Sequence, residues 1–188
     1  ALALVFFRGE PTAVGSGLLY GPLAQFVRIS GLELGILLTL VNWSQARAGE
    51  RGEFLSMMLF SLCGLLLVGA ANNLLILFLA LELVSIPTYI MVVLSRTSPR
   101  ALEAGTKYFY LGALSAALIA YGFSFLYGVS GTAQLVASHN ANGVLVGAGM
   151  VDKITDALAS PGTLPFGLAT VGIVLALGIF MADSIRAL

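Results

Sequence analysis

Five stretches of this chain are each about as long and as apolar as a helix must be to cross a bilayer, which takes about 20 mostly apolar residues. They run from about Pro22 to Asn42, Phe54 to Ala70, Asn73 to Ser95, Ala101 to Tyr127 and Leu164 to Ala182. Hydrocarbon offers no partner for a backbone N–H or C=O, so segments of this kind pair those groups internally and fold as helices. The separators fit: Gln45–Glu53 is polar, Arg96–Arg100 contains Pro99, and residues 128–162 are rich in Gly, Ser and Asn. Ala71-Asn72-Asn73 makes a tight polar break between two spans. The sequence therefore predicts an all-α polytopic transmembrane bundle, one transmembrane domain over residues 1–188, with a long loop over 128–162. Ala1–Phe7 is an apolar run too short to span, without the basic start of a signal peptide. It reads as the stump of a further helix, and the chain as a fragment.

Composition closes the other routes. With 59% hydrophobic and 10% charged residues, too few polar groups exist to cover a soluble globule, and the aliphatic content excludes disorder. Nine Lys and Arg balance nine Asp and Glu, which argues against nucleic acid as a partner. A single cysteine, Cys63, and a single histidine, His139, leave no disulfide framework and no Cys/His cluster for a metal or haem. Cys63 reads as a packing residue. No dinucleotide fingerprint, P-loop or nucleophile elbow stands in a strand–helix context, and Gly9–Gly21 lacks the βαβ pattern that would follow one. The 22 glycines, mostly inside the apolar segments, suit close helix packing in lipid.

If the chain alternates sides, one face receives Arg47, Arg51, Arg96, Arg100 and Arg186. The other receives Arg8 and Lys153, with Arg28 near its edge. Short loops rich in Lys and Arg stay in the cytoplasm, so loops 44–53 and 96–100 are expected on the cytoplasmic side or its organelle equivalent.

Ionisable residues inside spans carry the chemical information, because one at the bilayer centre costs roughly 2.5–3.5 kcal/mol to insert. Glu82 lies about nine residues, or roughly 14 Å, into its span, close to the midplane. No basic residue stands within one turn of it, so its partner comes from another helix or it stays protonated. Pro87 leaves the Leu83 carbonyl without its intrahelical donor and bends the helix beside Glu82. Such freed groups are tolerated where they are buried in protein or line a hydrated cavity; a packing kink is the plain alternative, but a carboxylate one turn from the kink fits a hydrated pocket better than a lipid-facing surface. Lys107 lies about one and a half turns into the next span. It stands i,i+4 from Glu103, a spacing that also fits a helix-end ion pair, and it could snorkel to the interface. Glu33, near the centre of its span, has Arg28 five residues away and admits a structural or a functional role equally. Tyr89, Tyr108, Tyr110 and Tyr121 could order water or line a site, or be packing and interface anchors. Glu82 and Lys107 together suggest a proton relay. A lysine beside a carboxylate keeps its proton, and one deprived of that partner in a dry site releases it.

Three motifs carry a family resemblance. They are the run from Ala71-Asn-Asn through Glu82-Leu-Val-Ser-Ile-Pro87-Thr-Tyr89, the run Arg100-Ala-Leu-Glu-Ala-Gly-Thr-Lys107-Tyr-Phe-Tyr-Leu-Gly112, and Tyr121-Gly-Phe-Ser-Phe-Leu-Tyr127-Gly-Val-Ser-Gly131. In them the chain resembles the proton-translocating, antiporter-like subunits of respiratory complex I, the subunit N branch of NADH-quinone oxidoreductase most of all. The resemblance implies two inverted five-helix repeats with broken helices near the midplane, of which this chain would hold most of the first. It implies Glu82 as the coupling glutamate facing a neighbouring antiporter-like subunit, and Lys107 as the lysine that pairs with it. It also implies no flavin, iron–sulfur cluster or bound NADH in this subunit, and other membrane-arm subunits as partners. The expected place is the bacterial inner membrane, with organelle inner or thylakoid membranes as alternatives. One departure stands out: the last span carries neither the family's lysine nor its proline break, and Ala176 occupies the lysine's place. His139 and Lys153 receive no role. Two other functions remain open, a subunit of a multi-subunit cation/proton antiporter and a scaffold that has lost its proton wire.

Overall fold

The computed structural model describes residues 12–14, 17–43, 51–94, 98–139, 145–147 and 149–186. The helix stump expected at Ala1–Phe7, residues 44–50 of the first basic loop and residues 96–97 of the second lie outside the described residues. A short strand pair, β1 (Thr12–Val14) and β2 (Leu18–Tyr20), precedes helices α1 (Pro22–Trp43), α2 (Arg51–Ala70), α3 (Leu74–Leu94) and α4 (Pro99–Ser130). After them come β3 (Ser138–His139), β4 (Leu145–Gly147), α5 (Met150–Leu158) and α6 (Leu164–Arg186). α1 to α4 are each long and apolar enough to cross a membrane, and α6 adds a shorter apolar stretch over Leu164–Ala176. The protein is a helical integral membrane protein. Leucine, isoleucine and phenylalanine cover these helices on most sides, as lipid contact requires.

The chain divides into two compact units. The first comprises Ala1–Thr12, Leu19–Ala71 and Ile76–Tyr110. In it α1 packs on α2 through close approaches at Gly31 and Gly35. A Cβ at those positions would meet Leu66 at 2.9 Å and Leu62 at 2.7 Å. Small residues that let helices touch supply van der Waals attraction where no hydrophobic drive exists between apolar helices in lipid.

The second unit comprises Ala13–Leu18, Asn72–Leu75 and Leu111–Leu188. Its polar centre is Asn72, 2% exposed. The Asn72 backbone N–H donates to Gly17 O at 2.8 Å, and its carbonyl accepts from the Leu135 N–H at 2.9 Å. Its side chain closes a ring with Val136, Oδ1 accepting from the Val136 N–H at 2.9 Å and Nδ2 donating to the Val136 carbonyl at 3.3 Å. Asn73 Oδ1 accepts from the Leu75 N–H at 2.9 Å and so caps α3. The tight polar break seen in the sequence is thus a hub to which the segment after α4 is tied. Leu74, Leu126 and Met150 form the apolar core of this unit, with Phe123, Leu135, Ile154 and Ile173 packed around them.

Residues 128–162, expected as one long loop, carry structure of their own. α4 continues to Ser130 and ends on Gly131, whose φ of 65° suits a residue without a Cβ and whose N–H reaches Tyr127 O at 2.7 Å. β3 and β4 pair antiparallel. In α5, Met150 and Ile154 recur one turn apart and face the core, a period too short to stand out among the surrounding glycines. Lys153, left without a role in the sequence, donates from Nζ to the Ser130 carbonyl at 2.7 Å, a cation at the negative end of α4. Asn72→Ala leaves both Val136 backbone groups unpaired and is expected to cost about 1–3 kcal/mol. Asn73→Ala loses only an exposed cap, about 0.5–1 kcal/mol. Thermal unfolding in detergent ranks the two, with Asn72→Ala the lower midpoint.

Candidate functional site

The first unit holds Glu33, Glu82, Pro87, Glu103, Lys107 and Tyr108, together with Tyr89 and Tyr110, while Tyr121 falls in the second. Glu82 stands eight residues after Leu74 and twelve before Leu94, so it sits roughly 12 Å from one end of α3 and roughly 18 Å from the other. It is half-buried, and among the described residues its carboxylate has no hydrogen-bond or ion-pair partner. Pro87 is buried inside the same helix. Its ring supplies no N–H to the Leu83 carbonyl, which is the residue after Glu82.

Hydroxyl groups and a glycine surround this break. Ser85 Oγ donates to Leu81 O at 2.9 Å and Thr88 Oγ1 to Ser85 O at 2.6 Å. Across the helix pair, Ser61 Oγ of α2 donates to the Val84 carbonyl at 3.4 Å. Three residues on, Gly64 brings α2 against the α3 backbone. A Cβ there would lie 2.8 Å from Val84 N and 2.9 Å from the Leu83 carbonyl carbon. Nothing local in the sequence beyond their spacing of one turn singles out Ser61 and Gly64, because which helix a small residue touches is set by non-local packing.

Lys107 is differently placed. Its Nζ meets Glu103 Oε1 at 2.5 Å, one turn back on α4, and the two side chains are 70% and 64% exposed. This is the i,i+4 pair that the spacing allowed. Tyr108 stacks edge-on with Tyr89 of α3 at a centroid distance of 4.7 Å, and Phe109 meets the same ring at 6.1 Å. Tyr89 lies seven residues beyond Glu82 on the same face of α3, about 10 Å along the axis. Lys107 therefore stands beside the far end of α3, while Glu82 is near its middle. Among the described residues no ion pair joins the two. A proton passing between them needs a relay of intervening hydrogen-bonding groups, since direct transfer works only within hydrogen-bond reach or through one water.

Glu33 is exposed on α1 and is not among the residues lining the 320 Å³ apolar groove between α1 and α2. Cys63 lines that groove and is exposed. In the second unit, α4 and α6 approach closely: a Cβ on Gly122 would stand 3.0 Å from both Ala176 N and Gly172 O. The place the resemblance gives to a lysine is thus at a tight helix crossing.

Residues 71–181 match the family described as NADH:quinone oxidoreductase/Mrp antiporter, TM. The chain belongs to that family. It is 35% identical over 179 residues to NADH-quinone oxidoreductase subunit N of Myxococcus xanthus, covering 90% of this chain and 34% of that protein. It is 36% identical over 168 residues to subunit N 1 of Rhizobium meliloti, covering 82% of this chain and 35% of that protein. Among solved structures, a chain of respiratory complex I from Thermus thermophilus with bound aureothin superposes with a TM-score of 0.61 and 29% identity, over 94% of this chain and 34% of that one. A chain of the membrane-bound sulfane sulfur reductase, an archaeal respiratory membrane complex, shares the fold at a TM-score of 0.70 and 20% identity, over 94% of this chain and 35% of that one. The chain spans about a third of the length of these relatives.

An exposed i,i+4 ion pair contributes little, about 0.3–0.5 kcal/mol. Glu103→Gln and Lys107→Ala are therefore expected to leave the thermal midpoint in detergent within about 2 °C of the parent protein. A larger loss for either variant shows that the pair is structural.

Proposed function

We propose that this chain is part of a proton-translocating membrane-arm subunit of a complex I-type NADH:quinone oxidoreductase, with Glu82 as its proton-carrying acid. The observation that carries this reading is a half-buried carboxylate near mid-span, without a partner among the described residues, one turn from a proline-broken stretch of helix. Such a group is expensive in lipid, and membrane chains keep it where ions or protons move. The family match and the subunit N relatives point the same way.

In this mechanism energy released by quinone reduction elsewhere in the complex reaches the subunit as a change of charge or geometry beside α3. Glu82 takes up a proton in one state and releases it in the other. Tyr89 and Tyr108, in ring contact between α3 and α4, lie on the way to Lys107. Water and these hydroxyls would bridge the interval of about 10 Å. Lys107 holds its proton while Glu103 accepts from it, and passes it on when that contact opens. The subunit itself would carry no flavin, cluster or bound NADH. Its partners would be other membrane-arm subunits, and its place the bacterial inner membrane, with loops 44–53 and 96–100 on the cytoplasmic side.

One observation favours a second reading. Ala176 stands at the close α4–α6 approach where the resemblance puts a lysine, as in a scaffold without a complete proton wire. Proton pumping by the reconstituted complex separates the two. Glu82→Gln and Lys107→Ala are expected to lower pumping by at least about tenfold, since removing a positioned proton-transfer group typically costs that much or more. Unchanged pumping in both variants supports the scaffold instead. Sodium dependence of the flux would mark a cation/proton antiporter.

A further inference from the structure

We propose that Gly64 and Ser61 of α2 are positioning residues for Glu82, acting through the α3 backbone that Pro87 has weakened; this rests on the proton-carrying role given above to Glu82. Three observations converge on one short stretch of α3. Pro87 deprives the Leu83 carbonyl of its helical donor, so α3 is held least firmly by its own hydrogen bonds at the residues following Glu82. Gly64 reaches the backbone of those residues, its absent Cβ having no room beside Val84 N at 2.8 Å and the Leu83 carbonyl carbon at 2.9 Å. Ser61, one turn earlier on the same face of α2, donates to the Val84 carbonyl at 3.4 Å.

The contacts differ in kind from the close approaches at Gly31 and Gly35. At Gly31 and Gly35 an added methyl group would meet only the δ-carbons of Leu66 and Leu62, which can rotate away. At Gly64 it would meet main chain, which can yield only if α3 itself moves. A displacement there is transmitted to Glu82 through a single peptide unit. Ser61 donates to the Val84 carbonyl, the one after the Leu83 carbonyl that Pro87 leaves without its helical donor, and so ties α3 to α2 beside that gap. Gly64 and Ser61 thus set where α3 bends, and with it the place of the Glu82 carboxylate. Neither touches the proton.

The test uses the native complex carrying the full-length chain, reconstituted in vesicles, with protons moved per electron read separately from the rate of quinone reduction. Gly64→Ala is expected to lower protons per electron about threefold, the scale of a coupling change carried by packing, with quinone reduction retained. Gly31→Ala, which adds the same methyl group against a movable side chain, is expected to leave both readings unchanged. Ser61→Ala is expected to lower the ratio about twofold and Ser61→Thr, which keeps the hydroxyl, to restore it. Should Gly64→Ala fail to assemble, the Ser61 pair decides. Parent-like ratios in Gly64→Ala and Ser61→Ala, with pumping still lost in Glu82→Gln, overturn the positioning role and leave the function standing. Parent-like pumping in Glu82→Gln overturns both.

Discussion

A backbone carbonyl in hydrocarbon must find a donor, and Pro87 withdraws one from Leu83 in the middle of a membrane helix. The candidate site gathers around that withdrawal. Ser85 and Thr88 turn their hydroxyls onto neighbouring carbonyls, Ser61 reaches across from α2, and Gly64 lets the two helices come close enough for it to do so. These hydroxyls go to the Leu81, Ser85 and Val84 carbonyls, and Glu82 directly precedes the Leu83 carbonyl that Pro87 leaves without its helical donor. In an unbroken helix facing lipid its charge would have neither a partner nor a reason. Beside an incomplete hydrogen-bond ladder, a bound proton or a water has somewhere to go.

The same accounting governs the second unit. Where the chain leaves the spans, the backbone groups of the segment after α4 need partners, and a single buried asparagine provides three of the hydrogen bonds. Asn72 fixes the entry to α3, Lys153 closes the end of α4, and Met150 and Ile154 seat α5 on the apolar core. The two asparagines before α3 thus divide their work. Asn72 ties segments distant in sequence together, and Asn73 caps the helix that carries Glu82.

The sequence showed the spans, Glu82 and Pro87 for one reason: each breaks or obeys a rule that lipid enforces locally. Twenty apolar residues in a row, a carboxylate among them and a proline inside a helix are visible without knowing what lies beside them. The i,i+4 spacing of Glu103 and Lys107 likewise announced their ion pair. What stayed hidden depends on neighbours distant in sequence. Ser61 and Gly64 look like ordinary small residues of a membrane helix until α3 is laid against them. Asn72 reads as a turn residue until Val136 closes on it, 64 residues away in sequence. α5 was missed because its two core contacts lie in a segment whose composition suggests a loop. The offset of Lys107 from Glu82 was also beyond reach, since the axial register of α3 and α4, seen in the Tyr89–Tyr108 contact about 10 Å along α3 from Glu82, is set by packing between the helices rather than by either helix alone.

Infrared difference spectroscopy on the reconstituted complex, taken between the resting and the turning-over state, addresses the central claim most directly. If Glu82 carries protons, a carboxyl carbonyl band appears and disappears with turnover and is absent from the Glu82→Gln complex. A difference spectrum identical in the two complexes would contradict it.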